Sequence, residues 1–503
     1  MSARKIHKWA GIIVCFFMVM FSISGIILNH RQFFSGINVS RSLMPDNYQY
    51  QNWNRGLLRG TISFPDSIDN QTVLIYGSGG VWKSDKMGSF IEDYNQGLPT
   101  GADLRAIRSI VLTSKNEMLA CSQFKIYRRR LTDNQWTLLG NLPEDLKLYN
   151  ITLKEDTLYL ADCNAIFRSV APYNAFQEVP LNAPANYDGK VSLMRTIWLL
   201  HSGELFGLPG KLIMDAVALV IIFLSITGIL FWLLPKRMKW LRKKQKESEN
   251  PEKTQVKIAR GNKWIQFSFN WHDLVGRKTI VLTLLIALTG WSLRSPFLMI
   301  MASNKTKPVP FSYLDKENPF FDKIRGLYYD EDQSDWILCA DKTYSLQELS
   351  SIPVEIGNTP AISVMGINVF EKDTTGDWLV GSFSGLFRWN RSRNTVTDYF
   401  TGEAPQVGGS PFAGGHSISG YASSFPQGNR PVEYGAGTDL LPQPEEFNLL
   451  PTSLWSFSFE LHNGRLYTAA LGTMASMLFI LLIGIVVLVM LWTGWMVRKK
   501  KKN

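Results

Sequence analysis

Four apolar runs constrain most strongly what this chain can fold into. Each reaches or approaches the length of about 20 residues that a helix needs to cross a hydrocarbon core about 30 Å thick. The runs lie at residues 9–28, 212–234, 279–297 and 469–497. The sequence therefore predicts four membrane-spanning helices.

Lysine and arginine gather on one side of these four spans. They precede the first span, fill the segment between the second and third, and follow the fourth. The positive-inside rule therefore places both termini in the cytoplasm of a bacterium, in its inner membrane, with the long segments in the periplasm. A cleaved signal peptide is the competing interpretation of the N-terminus, but the run is long and lacks a small-x-small cleavage site. The net charge of +11 is then explained by the basic cytoplasmic segments and their contact with anionic lipid. It gives no reason to expect a nucleic-acid partner.

The two periplasmic segments are rich in short alternating strands broken by glycine, asparagine and aspartate. Apolar-aromatic pairs recur at Val81-Trp82, Ile126-Tyr127 and Ile166-Phe167, at intervals of 45 and 40 residues. This interval is typical of four-stranded propeller blades, and the units resemble bacterial propellers of the BNR kind, although a β-sandwich also fits. Cys121, Cys163 and Cys339 lie in these segments; we expect buried strand cysteines, and the alternative is one disulfide among the three.

The predicted fold class is thus an α-helical four-span membrane bundle with all-β, propeller-like periplasmic domains. Its parts are a first transmembrane helix (1–30), a β-rich segment (31–205), a second helix (206–235), a basic cytoplasmic loop (236–275), a third helix (276–298), a second β-rich segment (299–465) with a glycine-rich loop (406–431), a fourth helix (466–497) and a basic tail (498–503).

The spans repeat, so the bundle is predicted to be a duplicated helix pair. The first and third spans share one spacing, in which glycines follow a histidine by four and eighteen residues: Gly11 and Gly25 after His7, Gly276 and Gly290 after His272. The second and fourth spans are preceded by "HSGELFGLPG" and "HNGRLYTAALG" and close on Thr227-Gly228 and Thr493-Gly494. Two copies in one orientation imply a pseudo-two-fold axis along the membrane normal.

This symmetry pairs the histidines. His7 faces His272 at the cytoplasmic surface, and His201 faces His462 at the outer surface. Two facing imidazoles are what a bis-histidine haem requires. His30 lies about 34 Å along the helix from His7 and is a third candidate at the outer surface. Decoration of the membrane interface is the alternative for any single histidine.

His416 lies in the glycine-rich loop and is either a substrate contact or part of a mobile connector. Zinc is disfavoured, since the spans supply no convergent set of three or four ligands. A transporter is disfavoured because the spans lack buried carboxylates.

The residues of the spans resemble those of the PepSY-associated transmembrane proteins, which include ferric-siderophore reductases. The resemblance rests on "RKIHKWAGIIVCFFMVMFSISGIILNH", "LLHSGELFGLPGKLIMDAVALVIIFLSITGILFW", "WHDLVGRKTIVLTLLIALTG" and "LHNGRLYTAALG". It implies one or two haem b groups bound by His7, His30, His201, His272 and His462, and electron transfer outward to iron. The family usually places small α+β PepSY domains outside the membrane, where this chain has β-blades.

The sequence predicts a haem-dependent oxidoreductase that reduces a periplasmic acceptor, such as iron(III) bound by a siderophore. No nucleotide-binding motif accompanies the spans, so a quinol or a separate cytoplasmic reductase is the expected donor. The alternative is a membrane-anchored β-propeller that binds or senses a ligand without redox activity.

Overall fold

The structure is a computed structural model that describes residues 2–65, 69, 71–143, 146–245, 251–405 and 416–497. Part of the predicted glycine-rich loop, 406–415, and the basic tail, 498–503, lie outside the described residues. The chain divides into a membrane unit (Met1–Phe34, Gly189–Asp315 and Trp455–Asn503) and a β unit (Ser35–Asp188 and Lys316–Leu454).

The α-helices follow one another along the chain with short 3₁₀ turns between several of them. In chain order they are α1 (Ala3–Asn29), α2 (Arg31–Phe34), α3 (Ala102–Arg105), α4 (Leu193–Ser202), α5 (Gly207–Gln245), α6 (Pro251–Ser292), α7 (Phe297–Ala302), α8 (Leu454–His462), α9 (Thr468–Leu471) and α10 (Thr473–Met496).

Four of these helical segments, among the described residues, are long and apolar enough to cross a membrane: Ala3–Asn29, Glu204–Gln245, Pro251–Ser292 and Met474–Met496. A helix satisfies its own backbone hydrogen bonds, which an apolar core requires of any spanning segment. Helix α1 packs against α5 and α10, and α6 packs against the same two helices. The predicted four-span membrane bundle is therefore present.

The segment predicted as a basic loop, 236–275, is helical wherever the structure describes it. Helix α5 continues through Pro235 to Gln245, and α6 begins at Pro251, well before the third apolar run. Lysine, arginine and glutamine are good helix formers, so a charged sequence does not by itself end a helix. The two long helices form an antiparallel hairpin outside the apolar runs.

The β unit consists of small antiparallel sheets with their strands in chain order. The four-stranded sheets are β2–β5 (Gly60–Ser63, Thr72–Gly77, Gly80–Asp85, Glu92–Asp93), β6–β9 (Ile107–Leu112, Glu117–Ser122, Ile126–Arg130, Thr137–Leu138), β10–β13 (Leu148–Lys154, Thr157–Asp162, Ile166–Val170, Gln177–Val179), β16–β19 (Gly326–Asp330, Asp335–Cys339, Thr343–Leu346, Val354–Glu355) and β20–β23 (Val369–Lys372, Trp378–Ser382, Gly385–Asn390, Thr395–Asp398).

Short strand pairs complete the sheet structure. Strands β24 (Ile418–Ala422) and β25 (Arg430–Glu433) form a two-stranded sheet, and β1 (Asn38–Val39) pairs with β26 (Thr452–Ser453). In the membrane unit, β14 (Val191–Ser192) pairs with β15 (Lys305–Thr306).

The recurring apolar-aromatic pairs occupy one position in successive sheets. Trp82, Tyr127 and Phe167 each lie on the third strand, opposite Ile75, Ala120 and Leu160 of the second strand. In the second stretch the same register recurs at Phe387 opposite Val380, within the repeated unit "WLVGSFSGLFRWNRSRNTV" of the sequence, and at Tyr344 opposite Leu338. A β-rich unit with a repeated sheet is therefore established, and it forms no closed barrel within the described residues.

No disulfide joins the cysteines of the β unit. Cys121, Cys163 and Cys339 are all free and buried. Two of them lie on second strands, β7 and β17, where they contribute to the cores between sheets.

Candidate functional site

Two pairs of histidines face each other in the membrane unit. The rings of His7 on α1 and His272 on α6 have centroids 6.1 Å apart and lie at 70° to each other. The rings of His201 on α4 and His462 on α8 have centroids 6.3 Å apart and lie at 56°. The structure thus brings together the same partners that the sequence repeat pairs by symmetry.

Each ring of the first pair is held at Nδ1 by a neighbouring helix. His7 Nδ1 lies 2.9 Å from the carbonyl oxygen of Met490 on α10. His272 Nδ1 lies 3.0 Å from the hydroxyl oxygen of Thr227 on α5, and the backbone of Leu224 also accepts a hydrogen bond from this ring.

The second pair is held in the same way. His201 Nδ1 lies 3.1 Å from the carbonyl oxygen of Ile286 and 3.0 Å from the hydroxyl oxygen of Thr289, both on α6. His462 Nδ1 lies 2.9 Å from the hydroxyl oxygen of Ser24 on α1. All four rings therefore use Nδ1 to dock on a different helix.

These contacts determine which ring nitrogen carries the proton. His7 Nδ1 faces a carbonyl oxygen, and the hydroxyls that meet the other three rings donate to carbonyls of their own helices three and four residues back, so towards the rings they act as acceptors: Ser24, Thr227 and Thr289. A nitrogen that faces only acceptors must be N–H, and the other nitrogen of a neutral imidazole is then a free electron pair. The described chain places no hydrogen-bond partner on the four Nε2 atoms.

A glycine that follows a serine or threonine lies against each of the four rings. A Cβ on Gly290 would lie 2.7 Å from His201 Cε1, and one on Gly494 would lie 2.9 Å from His7 Cε1. A Cβ on Gly25 would lie 3.6 Å from His462 Cε1 and one on Gly228 would lie 3.4 Å from His272 Cε1, which are ordinary contacts. In the structure the imidazoles themselves lie against these glycines.

The spacing of each pair fits a metal centre with two axial imidazoles. Two metal–nitrogen bonds of about 2.0 Å, with roughly 1 Å more from each nitrogen to its ring centre, place the centroids about 6 Å apart. The observed separations are 6.1 and 6.3 Å. An imidazole that is anchored through Nδ1–H and presents Nε2 is also the usual arrangement of a metal-binding histidine.

His30, the third outer candidate, lies apart from these pairs. Its Nε2 is 2.8 Å from Oδ2 of Asp215 on α5, and Asn29 donates to Oδ1 of the same carboxylate over 3.0 Å. Because Asp215 occupies the nitrogen that a metal would need, the structure favours His201 and His462 for the outer pair. The Asp215 side chain is partly buried, at 14% exposed.

His416 belongs to the β unit, whereas the other five histidines belong to the membrane unit. Its Nδ1 is 2.8 Å from Oε1 of Glu433, and its ring stacks on Phe400 at a centroid distance of 4.1 Å. The ring is half exposed. A substrate contact by His416 stays a prediction.

The bundle and its paired histidines define a membrane protein with a duplicated, histidine-lined set of helices. Residues 2–234 match the family model described as the PepSY-associated TM region, which confirms the resemblance seen in the sequence. Over this segment the chain is similar to the PepSY-associated transmembrane family.

Comparison with other proteins adds one distant likeness. No curated protein matches the chain. The crystal structure of the extracellular domain of BT4673 from B. thetaiotaomicron, assigned as a one component system, matches at 10% identity and a TM-score of 0.33. A second structure of that domain, assigned as a hybrid two component system, matches at 9% identity with the same TM-score. Each match covers 72% of this chain but only 30% of the other chain.

Proposed function

We propose that this protein is a haem-containing oxidoreductase of the bacterial inner membrane, which moves electrons from the cytoplasmic side to a periplasmic acceptor. The single observation that carries the proposal is the shared docking of four imidazoles. In both pairs Nδ1–H is anchored on another helix, Nε2 is left free, and the ring centroids lie just over 6 Å apart.

The ligand count favours haem over a bare metal ion. Among the described residues, no group of three or more His, Cys, Asp or Glu side chains is placed to hold a metal. Each histidine pair supplies two nitrogens, so the remaining ligands must come from the cofactor, as the four ring nitrogens of haem b do. His7 and His272 would hold one haem, and His201 and His462 the other.

Haem supplies reversible one-electron chemistry when it is bound. The protein's own residues perform the rest of the task. They fix the four rings through Nδ1 and place the two sites at opposite ends of the spans, since His7 and Ser24, the residue that anchors His462, lie one near each end of α1.

Orientation follows from the charges. The lysines and arginines around the first pair support a cytoplasmic position for His7 and His272, and therefore a periplasmic position for the β unit. We further propose that the sheets of the β unit are the blades of a propeller. Supporting this, β6 contacts β3 and β10, β10 contacts β16, and β24 contacts both β20 and β2.

The acceptor proposed is iron(III) held by a siderophore, and its support is the family resemblance. One electron converts iron(III) to iron(II), which binds hard oxygen ligands more weakly and is released. A quinol or a cytoplasmic reductase would replace the electron.

A spectrum of the purified full-length protein tests the cofactor. We expect a Soret band, α and β bands after dithionite reduction, and two haems per chain by pyridine haemochrome. His7→Ala or His272→Ala should remove one haem, His201→Ala or His462→Ala should remove the other, and His30→Ala is the matched control that should keep both. A protein without these bands would refute the haem reading and favour the anchored binding or sensing β unit.

The acceptor needs a separate test. Protein reduced in advance should be reoxidised on mixing with a ferric siderophore and should not respond to the gallium(III) complex of the same siderophore, which has nearly the same shape but cannot accept an electron. Reoxidation by neither complex would leave the haem assignment intact and refute the acceptor.

A further inference from the structure

Arg294 stands just beyond the end of α6, beside the second histidine pair. Its Nη1 donates to the carbonyl oxygen of Asn463 over 3.0 Å, and its Nη2 donates to the carbonyl oxygen of His462 over 3.1 Å. These bonds use two of the five N–H donors of the guanidinium. Within the described chain, no carboxylate forms an ion pair with it.

The charge of Arg294 reaches both imidazoles of the pair. It acts electrostatically on His201 and on His462. A second cation, Arg465, lies close enough to repel it, although Arg465 itself lies 3.3 Å from Glu460. A positive charge at the end of a membrane bundle is costly unless an anion compensates for it.

The repeat shows that the hydrogen bonds of Arg294 do not require a charge. Arg294 follows His272 by the same 22 residues by which Asn29 follows His7. Asn29 donates through Nδ2 to the carbonyl oxygen of Ser202, which follows His201 as Asn463 follows His462. A neutral amide therefore performs the corresponding capping in the first half of the bundle, and the positive charge in the second half serves another purpose.

We propose that Arg294 binds a carboxylate of the cofactor held between His201 and His462. This inference rests on the proposed function and deepens it. Haem b carries two propionate groups, and a guanidinium with free N–H donors forms strong, paired hydrogen bonds to a carboxylate. The ion pair would compensate the charge of Arg294 and hold the cofactor against rotation in its site.

Reconstitution with two forms of the cofactor separates this role from capping. Full-length apoprotein is titrated with haem b and with haem b dimethyl ester, which lacks the carboxylates, and occupancy of the second site is followed by its Soret band. His7→Ala is present as a background change so that only the second site is read. In this background, Arg294→Gln should weaken haem b binding by about tenfold, the scale of one charge-assisted hydrogen bond, and should leave binding of the ester unchanged.

Two further variants keep the test decisive. Arg294→Lys keeps the charge and should bind haem b with intermediate affinity, and Arg465→Gln is the matched control that should behave as the unmodified site. The inference is overturned if Arg294→Gln weakens binding of the ester and of haem b equally. In that case the anion that compensates Arg294 is a lipid phosphate, or Arg294 only caps α8. If the unmodified site binds neither form, the proposed function itself fails, which is a distinguishable result.

Discussion

Three of the four paired histidines, His201, His272 and His462, are held by a small unit of sequence, a serine or threonine followed by glycine. The hydroxyl accepts the bond from Nδ1–H, and the glycine lies against Cε1. The pairing of histidines could be predicted from the repeat. The role of the hydroxyls could not, because each docks a ring from a different helix and no local spacing records that contact.

Gly290 should be intolerant of even a methyl group. In Gly290→Ala the new Cβ would lie 2.7 Å from His201 Cε1 and 3.3 Å from its Nδ1, so the ring must move. We expect a lower melting temperature in detergent and loss of the second haem alone from the spectrum.

Gly11→Ala is the matched control for that change. Its Cβ would lie 3.7 Å from the sulfur of Met490, an ordinary contact, so stability and both haems should persist. Equal behaviour of the two variants would contradict the assigned role of Gly290.

Glu371 in the β unit should make stability depend on pH. Its Oε1 is buried without a partner, and burial raises its pKa to about 7, opposed by a hydrogen bond from Ser423. Between the ordinary value of 4.5 and about 7, the folded state binds more protons than the unfolded state, so stability falls as pH rises.

Glu371→Gln should remove this dependence. The variant should gain up to roughly 3 kcal/mol over the natural protein at pH 8 and little at pH 5, since one pKa unit corresponds to about 1.4 kcal/mol. Chemical unfolding followed by tryptophan fluorescence at both pH values measures it, with the exposed Glu446→Gln as control. A pH-independent gain would refute the assignment.

At the scale of elements, the sequence predicted the spans better than the segments between them. Apolar runs report where the hydrocarbon lies, but they do not report where a helix ends, and α5 and α6 both continue into charged sequence. The contact between Asp215 and His30 could not be predicted from the sequence. One carboxylate hardly changes the mean hydropathy of an apolar run, and the two residues do not lie on the same helix.

Arg391 joins two sheets of the β unit and should be essential to their packing. It follows β22 and donates to Asp330 over 2.6 Å and to Asp335 over 2.7 Å, which lie at the turn between β16 and β17. All three side chains are at most 6% exposed.

Arg391→Met should remove the shared guanidinium from Asp330, which keeps Lys372 and Trp378, and from Asp335, which keeps the Ser345 hydroxyl, and should lower the free energy of unfolding by about 3 kcal/mol. Thermal unfolding followed by tryptophan fluorescence measures the loss. The exposed neighbour variant Arg393→Met should change stability by no more than about 0.5 kcal/mol. A similar small change for both would show that the network contributes little.

At the scale of the whole molecule, the β unit is assembled from two stretches of chain that the second and third spans separate. The ends of these two stretches lie close together. Asn38, near the start of the first stretch, pairs with Ser453, near the end of the second. Lys323, near the start of the second stretch, lies 5.0 Å from the ring of Tyr187, near the end of the first. The alternating pattern predicted these strands, but it could not predict which stretches complete one another, because those contacts join residues hundreds of positions apart.

A chain of residues 35–188 and 316–454 joined by a short glycine-serine linker should therefore fold without the membrane unit. We expect a soluble protein with a β-type circular dichroism spectrum and one cooperative melting transition. Residues 35–188 alone are the control and should not melt cooperatively, because β2 loses its neighbour β24 and β10 loses β16. Cooperative folding of the shorter chain would contradict this dependence.

The unlike residues at equivalent places, Asn29 in one copy and Arg294 in the other, have a consequence for how such a bundle can evolve. Two identical subunits around a symmetry axis would inherit every substitution twice, so they could never place an amide on one side and a guanidinium on the other. Covalent fusion of the copies removes that restriction. Each half can change alone, and the shared histidine framework can be kept while its two flanks acquire different tasks.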